Sequence, residues 1–167
     1  LLDLGLCDLE QRSLQAVIEA TGAFVERLSG LSKIAIYGFD GSDSLTRIAG
    51  FTQDGKALRS ALAALEQARP RDPSTDIHGS VVKAVAALQQ EMKRSAMPVR
   101  WGSMVLLASS KDHARRVPRE RMLEVLDEAK IQRYALGVGE AVDTGLLGQF
   151  GTEEFHHVNL GTEPKPV

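Results

Sequence analysis

Apolar positions along the chain change period from segment to segment, and that alternation predicts the elements. Leu1 to Leu6 is a short apolar run suited to a buried strand. From Glu10 to Leu28 the positions Leu14, Val17, Ile18, Thr21, Phe24, Val25 and Leu28 recur at helical spacing, and Ser29-Gly30 closes the pattern. Lys33 to Phe39 reads as a second strand, Asp40-Gly41-Ser42-Asp43 as a turn, and Leu45 to Phe51 as a third strand, the two strands forming a hairpin. A helix on Leu58, Ala61, Leu62 and Leu65 follows, and Pro70 and Pro73 separate it from the next. There Ser74 or Thr75 is expected to cap a helix with Asp76 in its first turn and Ile77, Val81, Ala84, Val85, Leu88 and Met92 inward. Ser103 to Ala108 is almost continuously apolar, as a central parallel strand covered on both faces must be. A helix from Pro118 to Lys130, a strand from Arg133 to Val138 ended by Gly139, a short helix from Asp143 to Phe150 and a last strand from Phe155 to Val158 complete the series.

Strands alternating with helices of this length imply an α/β fold: a doubly wound, mostly parallel six-stranded sheet with one antiparallel edge strand and helices on both faces. In such sheets ligands bind beyond the carboxyl ends of the strands, where strand order reverses. The loops after Asp3, around Thr75 and after Leu107 are therefore expected to converge.

The chain's 167 residues suit one domain, expected over 1–162 with a tail or linker at 163–167. The abrupt apolar start and the Pro-containing tail Glu163-Pro164-Lys165-Pro166-Val167 have the look of a domain taken from a longer chain. Lysine and arginine (20) nearly balance aspartate and glutamate (22) and are interspersed with them, so the clustered basic footprint of a nucleic-acid binder is missing. No apolar run approaches the ~20 residues that cross a bilayer, and no insertion into a membrane is expected of this domain. Cys7 is the single cysteine and has no internal partner for a disulfide.

The three expected loops carry a resemblance to the von Willebrand factor type A (VWA) family. That family's first strand ends in Asp-x-Ser-x-Ser, and the register here reads Asp3-Leu4-Gly5-Leu6-Cys7, which keeps the aspartate and lacks both hydroxyls. Thr75-Asp76-Ile77-His78-Gly79-Ser80 resembles the family's threonine-bearing helix start. Leu107-Ala108-Ser109-Ser110 stands where the family has Leu-Thr-Asp-Gly, with Ser109 in place of the aspartate. Ile36-Tyr37-Gly38-Phe39-Asp40 and Tyr134-Ala135-Leu136-Gly137-Val138-Gly139 resemble two further strands of the family, so the likeness spans essentially the whole chain.

The resemblance implies a metal-ion-dependent adhesion site in degenerate form. In intact members hydroxyls and carboxylates hold a hard cation, and an acidic group of the partner completes its shell. Here Asp3, Thr75 and Ser109 are vestigial positions, Gly5 has no side chain and Cys7 offers a soft sulfur, so no cofactor is expected and any Mg²⁺ or Ca²⁺ would bind weakly.

Each of these residues also has a plainer role. Asp3 is expected to accept hydrogen bonds from Ser109, Thr75 and the amides opening the first helix, and Thr75 to serve as a helix cap. Cys7 reads as a small packed residue, since the acidic, glycine-free stretch between it and Arg12 would repel an anion. His156 and His157 would point to opposite faces of a strand and cannot chelate one ion from it. His78 and His113 read as surface histidines near the cleft, and Lys111, His113, Arg115 and Arg116 as a solvated basic loop beside Asp112, able to meet an acidic partner.

The sequence contains no nucleophile elbow, phosphate-binding glycine loop or paired acid and base at the strand ends. The expectation is a non-catalytic module that binds a protein partner through Asp3, Gly5, Cys7, Thr75, Ser109, Ser110 and Asp112 together with the Lys111–Arg116 loop. Two alternatives stand beside it: a metal-dependent adhesion module, and an α/β enzyme using Cys7.

Overall fold

A computed structural model describes residues 1–5, 11–67, 69–96, 101–151 and 154–158. Their elements in chain order are β1 (Leu2–Asp3), α1 (Gln11–Ser29), β2 (Ile34–Phe39), β3 (Thr46–Thr52), α2 (Gly55–Ala63) with a 3₁₀ turn (Ala64–Gln67), α3 (Ile77–Arg94), β4 (Ser103–Ala108), α4 (Arg119–Ala129), β5 (Gln132–Val138), α5 (Thr144–Phe150) and β6 (Glu154–Val158). The sheet runs β3-β2-β1-β4-β5-β6. All pairings are parallel except β2 with β3, whose direct connection makes a hairpin and leaves β3 as the antiparallel edge.

Two apolar layers sandwich the sheet, because alternate residues of each strand point to opposite faces. On β4, Met104, Leu106 and Ala108 join the layer under α3, α4 and α5, while Val105 and Leu107 join the layer under α1 and α2. Burying a leucine such as Leu106 contributes about 1.5–3 kcal/mol. The chain winds outward from β1 in both directions, so strand order reverses between β1 and β4, and their carboxyl ends frame the crevice.

Three expectations are corrected. The first strand does not run to Leu6: the Gly5 amide turns back to Asp3 Oδ1 at 2.9 Å, and this local bond ends β1 at Asp3. Phe24 is not inward; it is 48% exposed, and Gly22 is buried instead. Neither Ser74 nor Thr75 caps α3: Asp76 does, its Oδ1 accepting from the Gly79 amide at 3.1 Å. Gly79 is needed there, since a Cβ would lie 2.3 Å from Asp76 Oδ2.

Candidate functional site

Asp3 stands at the end of β1 with 2% of its surface exposed, and protein donors occupy both of its oxygens. Oδ1 accepts from the Gly5 amide. Oδ2 accepts from the Ser109 amide at 2.9 Å and the Ser109 hydroxyl at 2.8 Å, with the Ser110 hydroxyl at 3.5 Å. The hydroxyls of Ser110 and Thr75 are 2.7 Å apart, so the loops after β1, after β4 and before α3 meet in one hydrogen-bonded chain. Thr75 was expected to bond Asp3 directly; Ser110 lies between them instead. Gly5 leaves little space: a Cβ there would lie 3.0 Å from Asp3 Oδ1 and 3.2 Å from Ser109 Oγ. Cys7 lies outside the described residues.

Asp112, expected on the partner surface, points inward. Its Oδ1 accepts from the Ile77 amide at 2.6 Å and the His78 amide at 3.3 Å, and its Oδ2 from the Arg115 amide at 3.2 Å. A carboxylate satisfies these otherwise unpaired donors at the start of α3 and complements the helix dipole. His78 is likewise no surface residue. Its side chain is 12% exposed, with Nδ1 at 3.0 Å from the Val117 carbonyl and 3.3 Å from Asp112 Oδ2.

The Lys111–Arg116 loop is fixed by its backbone rather than simply solvated. The His113 and Ala114 amides donate to the Thr75 carbonyl at 2.9 and 3.0 Å, and Arg115 adopts a left-handed φ of 50°. Arg116 donates from Nε and Nη2 to the Gly41 carbonyl at 2.9 and 2.7 Å, with Asp72 3.8 Å away. Lys111, His113 and Arg115 are exposed at the rim. His156 is exposed on β6, far along the sheet from this crevice, and the side chain of His157 lies outside the described residues.

Two buried aspartates went unrecognised as organisers of the site. Asp40 is 2% exposed and accepts from the Ser42 amide at 2.9 Å, the Ser42 hydroxyl at 2.5 Å and the Arg71 amide at 2.7 Å, with the Asp72 amide at 3.4 Å. Burial alone raises its pKa, but the bonds from Ser42, Arg71 and Asp72 outweigh it and hold the carboxyl below its ordinary value. Asp72 repeats the local pattern, accepting from the Ser74 amide and hydroxyl at 2.9 and 2.7 Å. The available signal was the Asp-x-Ser spacing at 40–42 and 72–74, the same local turn that Asp3 makes with Gly5 minus the hydroxyl. Asp76 is fully buried, and its Oδ2 has no hydrogen-bond partner among the described residues. Burial raises its pKa, the Gly79 amide opposes that, and the nearby Asp112 charge adds to it.

As a cation site the crevice offers one carboxylate, whose two oxygens already accept from protein donors, and the neutral hydroxyls of Thr75, Ser109 and Ser110. That donor set fits a hard dication poorly. Among the described residues no three His, Cys, Asp or Glu side chains come together to hold a metal.

No family model matches the chain, and a search of curated proteins finds no match either. Solved structures do match its fold. Proximal thread matrix protein 1 from the mussel byssus aligns over 95% of the chain with a TM-score of 0.75 and 14% identity, the chain spanning 42% of that protein's length. The conserved hypothetical protein BatB from Bacteroides thetaiotaomicron aligns over 95% of the chain and 87% of its own, with a TM-score of 0.71 and 13% identity. A von Willebrand factor type A protein from Catenulispora acidiphila aligns over 95% of the chain and 37% of its own, with a TM-score of 0.66 and 18% identity. The mussel protein is also known with zinc in its metal-ion-dependent adhesion motif. At these identities the likeness establishes the fold, and the fold is VWA-like.

Proposed function

We propose that this domain of VWA-like fold is a non-catalytic interaction module that recognises a protein partner at the rim above Asp3, Thr75, Ser109 and Ser110 without an obligatory metal. One observation carries the reading: the hydroxyl and amide of Ser109 occupy Asp3 Oδ2, where a cation would need a free oxygen. The rim is held together by hydrogen bonds that need no ion. Lys111, His113 and Arg115 stand exposed beside it, the lysine and the arginine offering positive charge to an acidic group of a partner. In this reading Gly5 borders the contact, Cys7 is a partner-binding residue by sequence alone, and Asp112 acts from beneath by fixing the loop.

The test is photo-crosslinking from position 114, in the same loop, in the full-length protein, with the captured partner quantified in chelator and in millimolar Mg²⁺ or Ca²⁺. Equal capture in all three, lost on joint Lys111→Glu and Arg115→Glu substitution, is the expected result. Capture that appears only with added ion would replace this reading with a weak metal-dependent one. Rapid reaction of Cys7 with a thiol probe at neutral pH, independent of unfolding, would favour the enzyme reading.

A further inference from the structure

A groove opens beside this rim, between the edge strand β3 and α2 with its 3₁₀ turn. It has a volume of about 290 Å³ and is lined by Leu4, Thr46, Ile48, Ala61, Ala64, Leu65, Arg69 and Arg71. Leu4 directly follows Asp3, so floor and rim are continuous. Gly38 lets that leucine lie flat on β2, since a Cβ there would be 2.7 Å from Leu4 Cδ2. Ala61 and Ala64 keep one wall low. At the mouth, Arg69 and Arg71 are exposed, and the Arg71 amide is tied to Asp40 Oδ2 at 2.7 Å, which fixes the backbone that carries its guanidinium.

The lining holds two arginines and no carboxylate, although acidic residues outnumber basic ones in the chain, 22 to 20. Asp40 accepts from the Ser42 hydroxyl and the Arg71 amide, and Asp72 from the Ser74 hydroxyl. The volume lies at the lower bound of small-molecule pockets, ~300 Å³, which suits one or two apolar side chains better than an enclosed cofactor. Apolar walls supply burial, and guanidinium groups bind carboxylates through paired N–H donors.

We propose that this groove seats an extended segment of the protein partner that bears an apolar side chain next to a carboxylate, the apolar group over Leu4, Ile48 and Leu65 and the carboxylate at Arg71. The proposal rests on the interaction-module reading and names a second contact for the same partner.

A displayed library of random peptides panned on the intact protein tests it. Enriched peptides should pair a bulky apolar residue with aspartate or glutamate. A synthetic copy of the best one should bind about tenfold more weakly to Arg71→Glu, and should lose binding to Ala64→Trp, a substitution at an exposed wall position whose melting temperature should match the parent's. The proposal is overturned if no peptide enriches, if the enriched peptides lack acidic residues, or if Ala64→Trp binds them undiminished. Peptides weakened by Lys111→Glu but not by the groove variants would remove the groove contact and leave the rim reading standing.

Discussion

Replacing Ser109 by aspartate tests whether Asp3 has lost the second carboxylate that would make a cation worth holding. Ser109 Oγ is 2.8 Å from Asp3 Oδ2 and donates to it, so Ser109→Asp removes that donor and sets a second anion against the first. Two like charges about 4 Å apart near a protein surface repel by about 4 kcal/mol. Proton uptake limits the loss to a similar figure, because keeping one carboxyl neutral at about pH 7 costs about 1.4 kcal/mol for each unit above its ordinary value, or about 4 kcal/mol. In chelator the variant should therefore lose about 4 kcal/mol in urea denaturation, and less as pH falls toward the carboxylate range. An ion at a hundredfold its Kd returns about 2.7 kcal/mol. Mg²⁺ should thus restore most of the variant's stability and leave the parent's melting temperature unmoved. The reasoning fails if chelated Ser109→Asp lies within about 0.5 kcal/mol of the parent, or if Mg²⁺ stabilises the parent as much as the variant.

Asp40→Ala strips the Arg71 and Ser42 amides of a buried acceptor and should cost about 3–5 kcal/mol in chemical denaturation, hydrogen bonds to a charged group being worth about 1.5–3 kcal/mol each. Because the pKa of Asp40 is held below 3.8, its contribution is present above that value and fades as pH falls through the folded-state value; acid titration of the parent against Asp40→Ala checks that the gap closes. Asp76 has the opposite sign: its pKa is raised, so the native state favours the neutral form and loses stability as pH rises from 3.8 through the folded value. Asp76→Asn should accordingly be at least as stable as the parent at neutral pH and lose that advantage in acid, as read from urea midpoints on both sides of 3.8. Asp112→Ala leaves the Ile77 and Arg115 amides unpaired and should speed amide hydrogen exchange at the start of α3 and in the Lys111–Arg116 loop, with exchange on β5 unchanged.

Period and punctuation decided the scaffold before any tertiary information. The 3.6 spacing in Ile77–Met92, the unbroken apolar run Ser103–Ala108 and the glycine after Val138 each mark an element whose type depends on neighbours a few residues away. Parallel crossovers then bring the ends of β1 and β4 together, which is why Asp3, Thr75 and Ser109 could be assigned to one rim from the sequence. Asp3 to Gly5, Asp40 to Ser42 and Asp72 to Ser74 are bonds over two residues, and the Asp-x-Gly and Asp-x-Ser spacings contain them.

Which carboxylate serves which donor was decided only in three dimensions. Asp112 reads in the sequence as one more charge in a polar loop, yet it faces the Ile77 amide 35 positions away, and Asp40 reaches Arg71 across 31. A carboxylate gains from such bonds only where folding has removed water and lined up unpaired amides, and neither condition is written in local residue order. The same holds for Ser110, whose place between Asp3 and Thr75 depends on how closely three separate loops pack. Sequence thus determined where polar groups would gather, and packing determined which of them are consumed by the protein's own backbone and which still face outward.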